Sequence, residues 1–183
     1  MSLLGGLALS TGIFFWGAWI IFLAGTCDVL DGTLARQTGK SSAFGAFLDS
    51  TLDRFSDAFP LLGLAYYFAG GEPWLQLSGS RAAAGESSPF AVVVVVLAVT
   101  GSFMVSYTRA RAEGMGVECS GGLMQRPERL TLLIIAALLG SIPGVGPFLL
   151  KAVLLILALS TNLTAIQRII HVRKFFHMER RQP

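Results

Sequence analysis

Asp28-Val29-Leu30-Asp31-Gly32-Thr33-Leu34-Ala35-Arg36 and, eight residues further on, Gly45-Ala46-Phe47-Leu48-Asp49-Ser50-Thr51-Leu52-Asp53 decide how this chain is read. Carboxylates recur at steps of three and four within two segments that otherwise read as membrane helices. Residues at those spacings share one face of a helix. Asp28 and Asp31 therefore form one set, and Asp49, Asp53 and Asp57 another. Like charges gathered at a membrane boundary repel and are driven to take up protons. Divalent cations relieve that repulsion, and hard carboxylate oxygens suit Mg²⁺ or Mn²⁺. Gly32 and Ala35 continue the face of Asp28 and Asp31, and Gly45 lies one turn before Asp49. Such small residues let a bulky ligand approach the backbone. The plainer alternative is a set of solvated helix-end charges, or ion pairs with Arg36 and Arg54. Against it stands the rarity of ionisable residues within spans except where they serve function.

Composition places these acids in an unusual setting. The chain has 183 residues, 53% of them hydrophobic and only 14% charged, with a mean hydropathy of +0.65. Soluble domains carry about 25% charged residues, so a water-soluble enzyme, a disordered tail and a nucleic-acid-binding arm are all poor readings. The formal net charge is +3, but the basic residues lie scattered between apolar blocks. Cys27 and Cys119 are far apart and match no metal or redox spacing. Five apolar blocks meet or approach the roughly 20 residues a spanning helix needs: Leu3–Cys27, Ala43–Ala69, Pro89–Tyr107, Leu130–Ile142 and Pro147–Ile166. Met1 is followed by no basic stretch, so no cleavable leader is expected. Residues 3 to 34 as a single helix would run about 48 Å, too long for a simple span. Gly5, Gly6, Gly12 and Gly17, with Trp16 and Trp19, permit a break near Trp16–Gly17.

Lysines and arginines alternate between loops. Arg36 and Lys40 lie in one, Arg109, Arg111, Arg126 and Arg129 in another, and Arg168, Arg173, Lys174, Arg180 and Arg181 toward the C-terminus. The intervening regions hold only Arg81 and Lys151 near their ends. The positive-inside bias then places the basic regions, and the acids beside them, on the cytoplasmic side of a cell membrane.

The two quoted stretches resemble the full signature of the CDP-alcohol phosphatidyltransferase family, matching every signature position and spacing. The resemblance runs from about residue 16 to the last helix. It implies an all-α, polytopic membrane bundle forming a single domain over residues 1–183. Six transmembrane helices are expected, five of them clear here and the first abbreviated. Members displace CMP from a CDP-linked lipid with an acceptor hydroxyl. By resemblance Asp28, Asp31, Asp49 and Asp53 hold the metal, Mg²⁺ or Mn²⁺ and two ions, with Asp53 also the base for the acceptor hydroxyl. Asp31, Gly32, Ala35, Arg36 and Gly45 would line the CDP pocket. Asp57 lies outside the signature, in a supporting role or on the helix surface. The family has a fuller first helix, so a catalytically compromised fragment is a further reading. Members often form dimers.

The signature fixes the donor and leaves the acceptor open. Tyr107-Thr108-Arg109-Ala110-Arg111-Ala112-Glu113 and Arg126-Pro127-Glu128-Arg129 are similar to the corresponding region of phosphatidylinositol-phosphate synthases and their archaeal ether-lipid counterparts, where Lys often stands in place of Arg109. That resemblance implies inositol 1-phosphate as the acceptor, a polar phosphorylated alcohol, and a CDP-diacylglycerol-like lipid as the donor. Arg109, Arg129 and Arg168 sit at the ends of apolar segments, and their planar forks suit an acceptor phosphate. The alternative is ordinary flanking charge, the reading given to Arg173, Lys174, Arg180 and Arg181. Glycerol 3-phosphate is the second acceptor to weigh. A divalent-cation carrier is the reading from a different class, disfavoured because an ion path needs no glycines to admit a nucleotide.

Overall fold

The computed structural model describes residues 1–37, 42–71, 86–119 and 121–179, with the backbone alone described at Val29, residues 31–37 and Glu179. Among the described residues the chain forms six α-helices: α1 (Ser2–Ser10), α2 (Phe14–Gln37), α3 (Ala43–Phe68), α4 (Pro89–Glu113), α5 (Arg126–Gly140) and α6 (Gly146–Glu179). One isolated bridge, Ala69 to Ser87, ties the end of α3 to the start of α4.

The N-terminal block breaks at Gly12, earlier than the Trp16–Gly17 position expected from sequence. Gly12 adopts φ +76°, a conformation that costs glycine little. The Gly12 N–H donates to the Leu9 carbonyl at 3.1 Å and the Ile13 N–H to the Ala8 carbonyl at 3.0 Å, the Schellman pattern that ends a helix. Gly17 stays within α2, where the Leu9 side chain packs so closely that a Cβ would meet it at 2.6 Å. At nine residues, α1 is about 14 Å long and does not cross a bilayer alone. Among the described residues two helices are long and apolar enough to do so, Pro89–Glu113 and Gly146–Met178, while the apolar part of α2, Phe14–Asp28, is shorter.

Packing closes the helices into a ring in the order α1, α2, α5, α6, α4, α3 and back to α1. The acid-bearing helices α2 and α3 thus flank the short α1. Leu9, Ile21, Leu64, Phe68, Val95, Ala136, Leu150, Leu154 and Leu157 fill the centre. Phe15, Trp16, Trp19, Phe22, Phe90, Val93, Phe148, Leu159 and Ile166 point outward, the apolar belt a bilayer requires. Small residues set the closest crossings, as in membrane bundles generally. A Cβ at Gly63 would overlap the Gly6 carbonyl, and one at Gly6 would overlap the Phe59 carbonyl. Between α4 and α6, the Asn162 amide donates to the Leu97 carbonyl at 3.0 Å.

The ends of the bundle differ. One carries the start of α3 and the arginines of α4, α5 and α6. At the other, Lys151 Nζ lies 2.6 Å from Glu86 Oε1 and over the Phe68 ring.

Gly63→Leu drives a side chain into backbone that cannot yield. It is expected to destabilise the bundle by at least the roughly 1–3 kcal/mol of ordinary overpacking. Leu62→Ala, at an outward position, is expected to change the unfolding temperature in detergent far less. Equal shifts for the two variants would contradict the α1–α3 crossing.

Candidate active site

Asp28 lies at the end of the apolar part of α2, and Asp53 and Asp57 lie one turn apart on α3, before the buried stretch that begins at Pro60. Ser42 caps α3, its Oγ accepting the Gly45 N–H at 3.0 Å. Arg126 opens α5 just before Pro127, a residue suited to a helix's first turn because it lacks the N–H that would have no partner there. This places the Arg126 guanidinium among the acids. Its Nη2 lies 2.8 Å from Asp28 Oδ2 and 2.8 Å from Asp53 Oδ1, so the two oxygens are at most twice that distance apart. Its Nε lies 3.8 Å from Asp57 Oδ1. One positive charge thus joins carboxylates from two different helices, α2 and α3.

The site extends into a cavity of about 260 Å³ lined by Asp53, Asp57 and five arginines: Arg54, Arg109, Arg126, Arg129 and Arg168. Arg109, Arg129 and Arg168, the three arginines expected at an anion site, line this one cavity together with Asp53. Arg129 and Arg168 are buried, and carbonyls hold them in place. Arg129 donates from Nη1 to Ser102 at 2.9 Å and from Nε to Gln125 at 3.3 Å, with Nη2 3.2 Å from Asp57 Oδ2. Arg168 donates from Nε to Gly121 at 2.9 Å and from Nη1 to Val105. These bonds engage part of each guanidinium's set of about five N–H donors and fix its plane. Arg109 is exposed and pairs with Glu113 at 2.8 Å.

Among the described residues Asp28 and Asp53 come together, and Asp49, one turn before Asp53 on the same side of α3, is exposed. Among the described residues no group of three acids, histidines or cysteines converges as a metal site. The side chains of Asp31, Gly32, Ala35 and Arg36 lie outside the described residues, as do Lys40, Trp74, Arg81, Arg180 and Arg181. Gly45 is exposed in the first turn of α3. Cys27 is exposed and Cys119 buried, both free thiols.

Three features were not read from the sequence. Asp57 is the carboxylate partner of Arg129. Arg126, the first residue of a tetrapeptide whose last arginine drew attention, is the one that meets the acids. Gly122, at φ +142°, lies against α6, where a Cβ would meet Thr164 at 2.6 Å. That close approach brings the neighbouring Gly121 carbonyl onto Arg168. The glycine pair was the available signal for this contact; nothing local marked the other two.

The chain belongs to the CDP-alcohol phosphatidyltransferase family, whose model matches residues 1–170. It is a membrane transferase of that family, and the cation-carrier reading gives way. The chain is 37% identical over 163 residues to the archaetidylinositol phosphate synthase of Methanothermobacter thermautotrophicus, covering 89% of this chain and 72% of that one. With the phosphatidylinositol phosphate synthase of Mycolicibacterium smegmatis it shares 34% over 174 residues, 94% of this chain and 72% of the other. The crystal structure of the Mycobacterium tuberculosis phosphatidylinositol phosphate synthase with CDP-DAG bound is similar at a TM-score of 0.78 and 32% identity, covering 93% of this chain and 80% of that one. The same enzyme in complex with manganese and citrate matches at 0.77 and 32%, covering 93% and 76%.

Asp57→Ala leaves Arg129 buried without its carboxylate, a loss of roughly 1–3 kcal/mol. It should lower the unfolding temperature in detergent, whereas Asp49→Ala, which removes an exposed like charge, should not. A null effect of Asp57→Ala would overturn the pairing.

Proposed function

We propose that this chain transfers the lipid phosphate of a CDP-diacylglycerol-like donor to a hydroxyl of inositol 1-phosphate and releases CMP. The observation that carries this reading is the single cavity bordered on one side by Asp53 and on the other by Arg109, Arg129 and Arg168. A transferase acting on a phosphorylated alcohol needs both parts within reach of one small molecule. Free inositol or serine would bring no phosphate to these three guanidiniums. The inositol phosphate synthases among the relatives favour inositol 1-phosphate, and glycerol 3-phosphate carries the same phosphate chemistry.

In the reaction the acceptor hydroxyl oxygen forms a bond to the phosphorus that bears the lipid. The bond from that phosphorus to the bridging oxygen breaks, and CMP leaves with the electron pair. Asp53 takes the hydroxyl proton, a role for which a base must lie within hydrogen-bond reach of its target. Arg109, Arg129 and Arg168 hold the acceptor phosphate so that the hydroxyl faces the donor. Gly32, Ala35, Arg36 and Gly45, with Asp31, accommodate the cytidine diphosphate. An apolar groove of about 320 Å³ between α2 and α5, lined by Phe22, Leu130 and Ile134, opens beside Arg126 and suits a donor acyl or ether-linked tail.

The acidic set fits a divalent cation. Its donors are all hard oxygens, and Asp28 and Asp53 already close on one positive group. Asp28, Asp31, Asp49 and Asp53 are the residues that would hold it, and the manganese complex of the mycobacterial enzyme supports such a cofactor. Bound cations, two by this reading, would neutralise the donor diphosphate and stabilise charge on its leaving phosphate. The basic end of the bundle faces the cytoplasm in this account, in line with the positive-inside bias.

Purified protein with Mg²⁺ should release CMP from CDP-diacylglycerol with inositol 1-phosphate, more slowly with glycerol 3-phosphate, and not with serine or free inositol. Release with free inositol at an equal rate would refute the acceptor-phosphate reading. Asp53→Asn should abolish release. Arg109→Ala should raise the acceptor KM about tenfold, the effect of one charge-assisted bond, with the donor KM nearly unchanged. A matching rise in the donor KM would remove Arg109 from the acceptor site.

A further inference from the structure

We infer that Arg126 is an exchangeable counter-ion: it holds Asp28 and Asp53 when no divalent cation is bound, and turns toward substrate phosphate when one binds. This rests on the reading of those aspartates as metal ligands. One nitrogen of Arg126 lies 2.8 Å from a carboxylate oxygen of each, so the guanidinium sits where a shared cation would sit. Arginine does not lose its proton in proteins. A divalent cation approaching the same oxygens therefore meets a permanent positive charge and must displace it.

The surroundings allow the exchange. The Arg126 side chain is 32% exposed, against 8% for Arg129. Arg126 lines both the polar cavity and the apolar groove, so it has space on either side of the acids. Arg129 is held by two carbonyls and Asp57, and Arg168 by two carbonyls. Arg129 and Arg168 are thus fixed, while the partners of Arg126 among the described residues are carboxylates. Once displaced, Arg126 needs a new anion, and the phosphates of a donor or product nucleotide bring one to the cavity it already lines. Metal and nucleotide then strengthen each other's binding, because the nucleotide removes part of the cost of displacing Arg126, and such coupling is reciprocal.

The test is Mn²⁺ binding to the full chain in detergent, read from the free-Mn²⁺ paramagnetic resonance signal with and without CMP. Arg126→Gln should tighten Mn²⁺ about three- to tenfold without CMP, the range expected for losing two partly exposed ion pairs. It should also shrink the further tightening that CMP brings. Arg126→Lys, which keeps the charge, should stay near the wild type. In the metal-free state Arg126→Gln should unfold at a lower temperature than the wild type, and saturating Mn²⁺ should close that gap, a readout that separates exchange from simple misfolding. Unchanged or weaker Mn²⁺ binding by Arg126→Gln, while Asp53→Asn abolishes binding, would overturn the exchange and leave the metal site standing. Wild-type protein that binds Mn²⁺ no better than Asp53→Asn would overturn the metal reading and the exchange together.

Discussion

Carboxylates brought together at the edge of a bilayer need a positive charge between them. In this bundle that charge comes from a helix distant in sequence, since Arg126 of α5 meets Asp28 of α2 and Asp53 of α3. The demand shapes the architecture around it. The acid-bearing helices α2 and α3 each pack on α1, and Arg126 reaches the acids of both. The ring of helices then carries α4, α5 and α6 round to the same end, where their arginines face the acids across one cavity.

The site divides into an adjustable half and a fixed half. Carbonyls of Ser102, Gln125, Gly121 and Val105 orient Arg129 and Arg168, and Asp57 completes the setting of Arg129. On the proposed reading such orientation suits a planar fork that recognises phosphate without reorganising at each turnover. Asp28, Asp53 and Arg126 are more exposed and, among the described residues, are held by one another, which on the proposed reading suits a place where ions and nucleotide come and go. Family membership and the geometry converge here: the chain carries the transferase signature, and the structure adds the cavity beside it.

The helices were legible because apolar length is written locally. The start of α4 at Pro89 and the start of α3 at Ala43 fall where the apolar blocks begin. Helix ends were less so. The last span was read to Ile166 and α6 continues to Glu179, while α4 continues past Tyr107 to Glu113, because polar residues propagate a helix as readily as apolar ones once outside the bilayer. The break at Gly12 was misplaced because four glycines competed for it, and only tertiary packing assigned Gly6 to contact with α3 and Gly17 to contact with Leu9. In the site, the acidic faces followed from the spacing of Asp28, Asp49, Asp53 and Asp57. The roles of Asp57 and Arg126 did not, since each depends on a partner brought near only by the folded ring.

If the acids of α2 and α3 form one cation-dependent site for a cytidine diphosphate headgroup, thermal unfolding of the detergent-solubilised protein with CDP, with Mn²⁺ and with both should reveal it. The rise in unfolding temperature with the pair should be well above the sum of the rises with each alone. Full stabilisation by CDP in the presence of a chelator would contradict it.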